Sequence, residues 1–203
     1  YEGLVYKNFE IIDKVPDSAR FIAYGLDFGF SNDPASFDAV YEYEGKVLVD
    51  NIIYETGLTN VFMDDEGRRE SLVGKFMDMK IDKNDRIVAD SAEPKSIEEI
   101  FRAGYNIHGA RKGKDSIGYG IDLINSRGLL ITKRSTGTIK EVRNYIWDTD
   151  KNGKQLPKPI DDWNHSLDAI RYVVINELAG RWEEQARKSS LITGRDETFE
   201  ERL

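Results

Sequence analysis

The chain has 203 residues, 39% hydrophobic and 33% charged, with a formal net charge of −8 and no cysteine. That length supports one well-cored domain, and the missing cysteine excludes disulfides, thiolate catalysis and zinc–cysteine sites, leaving oxygen and histidine as metal donors. An acidic total argues against a general nucleic-acid coat, although Arg111, Lys112 and Lys114, then Lys133, Arg134, Lys140 and Arg143, gather basic charge locally.

After an irregular lead-in, Phe21 to Asp27 reads as a short buried strand. Phe37 to Tyr43 and Lys46 to Tyr54 flank Glu44-Gly45 and suggest an antiparallel hairpin. Thr59 to Met79 reads as a helix with Leu72, Val73, Phe76 and Met77 as its apolar stripe, weakened by Gly67 and Gly74. A strand ending at Asp90 follows, then a helix from Lys95 to Ala103 stopped by Gly104, then a short strand from Tyr105 to His108. Asp115 is the expected N-cap of a helix with Ile117, Ile121 and Ile124 on one face. Leu129 to Thr132 makes a small strand, and Thr136 or Thr138 caps a helix through Ile139, Val142 and Ile146. Asp150-Lys-Asn-Gly-Lys154 carries the Asn-Gly signal of a two-residue hairpin turn. Asn164 to Leu178 is the last strong helix, and Arg181 to Leu203 reads as a surface helix turn and a polar, mobile tail. A meander of strands followed by alternating helices and strands describes an α/β domain with a mixed sheet covered on both faces.

Three aspartates stand at element ends: Asp27 and Asp90 close apolar strands, and Asp168 lies in the first turns of the last helix, near its positive dipole end. A carboxylate closing a buried strand must be paired, hydrogen-bonded or metal-bound. If the strands of Asp27 and Asp90 are sheet neighbours, the two groups repel unless a cation bridges them. All-oxygen sites of this kind suit Mg²⁺ or Mn²⁺ and phosphoryl-ester chemistry, in which two ions activate water and stabilise the leaving oxygen. Asp27 is the expected bridging ligand, and His165 shares a helix face with Asp168 and is placed to orient it or help activate water. Each residue also has a plainer account. Asp27 can bond the amides of the turn after it, Asp90 can cap the following helix through the Ser91 to Pro94 turn, and Asp168 can pair with Arg171 or Arg102. Asp161 and Asp162 are expected to cap the last helix, with Asp162 as a possible peripheral ligand, and His108 is an ordinary core or surface histidine.

Several segments, in order over residues 20 to 180, resemble the nuclease domain of the large terminase subunit of tailed bacteriophages, a ribonuclease H-like fold of the integrase superfamily. They are Gly25-Leu26-Asp27-Phe28-Gly29 with Asp33-Pro34-Ala35, Ala89-Asp90-Ser91-Ala92-Glu93-Pro94-Lys95-Ser96, Lys112-Gly113-Lys114-Asp115-Ser116-Ile117, Tyr145-Ile146-Trp147, and Asn164-His165-Ser166-Leu167-Asp168-Ala169-Ile170-Arg171-Tyr172. The resemblance implies Asp27, Asp90 and Asp168 as catalytic metal-binding acids holding Mg²⁺ or Mn²⁺, two ions in the DNA complex, with His165 beside them. It further implies Lys112 and Lys114 on a loop facing double-stranded DNA and a β-hairpin near Asp148 to Pro157 beside the cleft. Partners implied are an ATPase domain in the full-length protein, a small terminase subunit and the portal of the procapsid, in the cytoplasm of an infected bacterium. The expected function is metal-dependent endonuclease cleavage of concatemeric DNA.

Residues 1 to 203 are expected to form a single nuclease domain, with a core of about 20 to 180 and a tail over 181 to 203. The chain starts at Tyr1 and has no G-x-x-x-x-G-K-[ST] loop, so the ATPase half is expected to lie outside it. No apolar run approaches the roughly 18 residues of a membrane span, and no secretory leader is expected. Competing readings are a non-catalytic domain docking on DNA or the portal, and another ribonuclease H-like nuclease such as a Holliday-junction resolvase. An actin-like ATPase fits poorly, because it needs a second phosphate-binding lobe.

Overall fold

A computed structural model describes residues 3–65 and 67–192. Strands β1 (Phe9–Ile12), β2 (Arg20–Asp27), β3 (Ala35–Tyr43), β4 (Lys46–Glu55), β5 (Ile87–Ala89), β6 (Ile107–Gly109) and β7 (Leu129–Thr132) form one mixed sheet in the order β1-β7-β4-β3-β2-β5-β6. The meander β2-β3-β4 is antiparallel and central, and parallel strands extend it on both sides. Helices α1 (Leu72–Asp78), α2 (Pro94–Arg102), α3 (Ser116–Arg127), α4 (Thr136–Asn144), α5 (His165–Val173) and α6 (Ala179–Ile192) cover the sheet, and β8 (Trp147–Thr149) and β9 (Gln155–Pro159) make the separate hairpin expected from the Asn-Gly turn. None of the described helices is long and apolar enough to cross a membrane.

Strand alternation splits the core in two. Val88 on β5 with Ala23, Val40, Val47, Val49 and Ile131 faces a cluster containing Ile121, Ile124, Val142, Leu167, Ile170 and Val173 of α3, α4 and α5. Ile87 and Ala89 with Leu26, Phe37 and Ile53 face Leu72, Phe76 and Ile100 of α1 and α2. The same alternation places Gly25 and Asp27 on the α5 face with Ala23. Asp90 shares that face with Val88.

Several local expectations change. The lead-in is not irregular: β1 pairs in parallel with β7, and Leu4, Val5 and Tyr6 are buried. The expected helix over Thr59 to Met79 reduces to α1 and a 3₁₀ turn at Gly67–Glu70, because Ser71 is the N-cap, its Oγ accepting from the Gly74 amide at 3.0 Å. Asp115 holds the N-cap position of α3 in a left-handed conformation, φ 61°, and makes no side-chain cap bond. Ser135, rather than Thr136 or Thr138, precedes α4, which ends at Asn144. The last helix does not stop at Leu178. It widens into a π turn at Val174–Leu178 and continues as α6, burying Trp182. Of the expected mobile tail, residues 193 to 203 lie outside the described residues.

Candidate metal centre

The site forms where α5 lies directly on β2. Gly25 permits this approach, since a Cβ there would sit 2.2 Å from the carbonyl oxygen of Ala169. Leu26 pairs with Ala89 in the parallel β2–β5 ladder, and the Asp90 amide donates to the Leu26 carbonyl at 3.1 Å. Asp27 and Asp90 therefore leave neighbouring strand ends on the same face, and Asp168 comes down on them from the first turn of α5.

Each carboxylate already has partners. Asp27 is 8% exposed; His165 Nδ1 lies 3.0 Å from its Oδ2, and the Tyr172 hydroxyl donates to Oδ1 at 3.3 Å. Asp90 accepts from the Ala92 amide at 2.8 Å and from Lys112. Asp168 pairs with Arg171 at 2.5 Å. The plainer accounts thus hold in part for Asp90 and Asp168, whereas Asp27 takes partners from α5 rather than from its following turn. Among the described residues, no group of three or more histidine, aspartate or glutamate side chains forms a ready-made ion cage.

The charges record the crowding. Burial pushes the Asp27 carboxyl up to about 6; the His165 hydrogen bond opposes the shift, and the charges of Asp168 and Asp90 reinforce it. Burial also raises Asp168, against the pull of Arg171. Burial works the same way on Asp90, but the Ala92 amide and Lys112 outweigh it and hold that carboxyl below its ordinary value. The Asp27 hydrogen bond raises His165, whose Nε2 also faces Asp33 at 3.7 Å. The three carboxylates offer only oxygen donors, the chemistry a hard divalent cation takes, and in this structure Lys112 and Arg171 pair with two of them.

A groove of about 520 Å³ opens at His165, lined by Asp33, Tyr54, Lys140, Asp162 and Trp163. A pocket of about 200 Å³ on the other side carries Asp90, Asp168, Lys112, Arg171 and Tyr172. A larger hollow of about 850 Å³ runs along the Phe28 to Asp33 turn and α2 and includes none of the three aspartates. Lys112 and Lys114 are exposed, and Lys112 also stands 5.0 Å over the Tyr172 ring. Asp162 is exposed on the groove wall and accepts from the Trp163 amide, while neither it nor Asp161 caps α5, whose N-cap is Asn164. His108 is exposed and bonded to Asn106.

Two kinds of residue escape sequence reading. Tyr172 is signalled only by its place four residues after Asp168 on one helix face. Asp38 and Glu141 are both 0% exposed. A charge inside the apolar strand Phe37 to Tyr43 hints at the former, and nothing local marks the latter.

The model of the family described as "Terminase RNAseH like domain" matches residues 27–176. The large terminase subunit of Bacillus phage SPP1 is 31% identical over 186 residues, covering 85% of this chain and 41% of its own length. The PBSX phage terminase large subunit of Bacillus subtilis is 30% identical over 169 residues, covering 81% and 36%. This chain therefore spans less than half the length of either relative. The crystal structure of the SPP1 large terminase nuclease domain with bound Mn superposes with a TM-score of 0.70 at 27% identity, over 85% of this chain and 98% of that one. The large terminase nuclease of thermophilic phage G20c with bound magnesium, 13% identical with a TM-score of 0.53 over 85% and 93%, shares the fold. The matched span, the two relatives at 30% identity or more and the seven-stranded mixed sheet agree: the chain belongs to the terminase RNAseH-like domain family.

Proposed function

We propose that this chain is a nuclease domain that hydrolyses phosphodiester bonds of double-stranded DNA with Mg²⁺ or Mn²⁺. The observation that carries the reading is the convergence of Asp27, Asp90 and Asp168 from three separate segments, close enough that the charges of Asp90 and Asp168 act on Asp27, which His165 also contacts. The bound manganese of the SPP1 nuclease domain supports the choice of cation. Asp27, Asp90 and Asp168 would hold the ions, two in the DNA complex, and ions so held would supply an activated water and stabilise a leaving oxygen. Asp27 is the central ligand, and Asp90 and Asp168 flank it. His165 Nδ1–H holds the Asp27 carboxylate in one orientation and leaves Nε2 toward the groove, near Asp33. Lys112, in contact with Asp90, is positioned to exchange that carboxylate for a DNA phosphate. We further propose that the chain is one nuclease domain of a longer packaging protein, acting on concatemeric viral DNA in the infected host. Its ATPase half lies outside this chain, and the small subunit and portal are partners of the assembly.

Plasmid nicking in Mn²⁺ or Mg²⁺, abolished by EDTA, is the expected result; no nicking in either ion overturns the reading. The ion pairs of Asp90 with Lys112 and of Asp168 with Arg171 favour a second reading, a docking domain with structural acids. That reading requires that calorimetric titration of Mn²⁺ into the chain show no binding.

For DNA, Lys112→Ala and Lys114→Ala are each expected to weaken binding evenly across sequences and reduce the log–log salt slope by roughly 1, through loss of one released counterion. Fluorescence anisotropy between low and moderate salt measures this. An unchanged slope moves the DNA track away from this loop.

A further inference from the structure

One buried acid outside the aspartate cluster holds the segment from which half of the site hangs. Glu141, on α4, has no exposed surface, and a carboxyl there is costly unless its oxygens are bonded. Its Oε2 accepts from the Leu167 amide at 3.0 Å, the Ser166 amide also bonds to it, and its Oε1 accepts from the Tyr54 hydroxyl at 2.8 Å. Those amides belong to the first turn of α5, where free N–H groups need acceptors and where the N-cap residue, Asn164, offers no side-chain bond. The cap is thus supplied by a neighbouring helix. A second tie lies beneath it: the Ser166 hydroxyl donates to Asp38 Oδ1 at 2.8 Å and shares a 2.6 Å bond with Thr138. Asp38 in turn accepts from Ser36 at 2.7 Å and Asn51 at 2.8 Å, which anchors the tie in β3 and β4.

His165 and Asp168 bracket the two residues so fastened. A helix turn with uncapped amides frays, and fraying here would release the His165 contact to Asp27 and the aim of Asp168 together. Asp27, the last residue of β2, and Asp90, just after β5, would stay in place.

We propose that Glu141 is a positioning residue: by capping α5 from α4 it sets the orientation of His165 and Asp168, and through them the affinity of the cleft for a divalent cation. The inference rests on reading the three aspartates as a metal site. The acceptor geometry carries the role, so glutamine, whose amide oxygen takes the Leu167 bond while its NH₂ meets the Tyr54 hydroxyl, preserves it.

Calorimetric titration of Mn²⁺ into the parent, Glu141→Ala and Glu141→Gln, well below the melting temperature of each, tests this. Expected is a 10- to 100-fold weaker affinity for the alanine variant, the range for residues that support a ligand, and an affinity within about threefold of the parent for glutamine. If Glu141→Ala does not fold, Ser166→Ala replaces it; removing the second tie is expected to weaken Mn²⁺ by about the lower end of that range. A folded alanine variant with a lower melting temperature but unchanged Mn²⁺ affinity has lost only stability, and overturns the proposal. A parent that binds no Mn²⁺ overturns the metal reading itself, a result distinct from the first.

Discussion

Asp27→Asn is expected to abolish Mn²⁺-dependent nicking and, in the same protein, to raise the metal-free melting temperature at neutral pH. Both effects follow from burial. Asparagine keeps one oxygen to accept the His165 Nδ1–H and turns its NH₂ to the Tyr172 hydroxyl, which then accepts, but it has lost the anionic metal donor, so cleavage should fall by more than about 100-fold, the upper end for residues that only support a ligand. A carboxyl whose folded value lies above its unfolded value is protonated more in the native chain. Its contribution to stability is complete below about 4 and is lost as pH rises through about 6, the folded value of Asp27. That value is already net of the His165 bond, which leaves a penalty of about 3 kcal/mol at pH 7 for asparagine to relieve. For a chain of this size the gain corresponds to roughly 9 °C. Thermal unfolding in EDTA should show the variant above the parent at pH 7 and level with it near pH 4. Cleavage equal to the parent's would remove Asp27 from the metal site; a lower melting temperature at pH 7 would show that its burial is not strained.

Gly25→Ala is the change expected to damage the fold most. The new Cβ would lie 2.2 Å from the Ala169 oxygen and 2.6 Å from its carbon, both backbone atoms at the centre of the contact between α5 and β2. No side-chain rotation relieves it, so α5 must lift, at a cost of about 3 kcal/mol, the top of the usual range for overpacking. Lifting α5 also carries Asp168 and His165 away from Asp27, so activity should fall even where the variant is fully folded. Gly118→Ala is the control: it lies within α3 with nothing within 4 Å of the added carbon, and should be neutral or gain up to about 1 kcal/mol from helix propensity. Urea unfolding measures both. A Gly25→Ala variant within about 0.5 kcal/mol of the parent, the scatter of ordinary surface substitutions, would show that the contact between α5 and β2 is looser than described.

Much of this site could be read from one dimension because its residues sit where local patterns change. Asp27 and Asp90 end apolar runs, and Asp168 and His165 share a helix face three residues apart, so each was visible from its own neighbours. Strand order was not, since the parallel pairing of β2 with β5 depends on the intervening helix packing across the sheet. Glu141 was invisible for the same reason: its bonding partners at Leu167 and Tyr54 are brought to it by tertiary packing. The overlong helix expected between Thr59 and Met79 shows the opposite failure. The apolar spacing of α1 continues backward past Gly67 and Ser71, and Ser71's own chemistry starts a new element there. At the other end, the lead-in lacked periodicity, yet it supplies β1 and the buried Tyr6, because an edge strand beside β7 needs only four residues.

The convergence of three carboxylates from β2, β5 and α5 has a thermodynamic consequence. Those groups lie far apart along the chain, so an unfolded polymer scatters them and no longer presents the joint donor set. Any ligand that needs all three selects the native ensemble, and by mass action adds about 2.7 kcal/mol to stability at one hundred times its dissociation constant. Neutralising the mutual repulsion of these carboxylates would make of them a clasp between the sheet and the helix that crosses it.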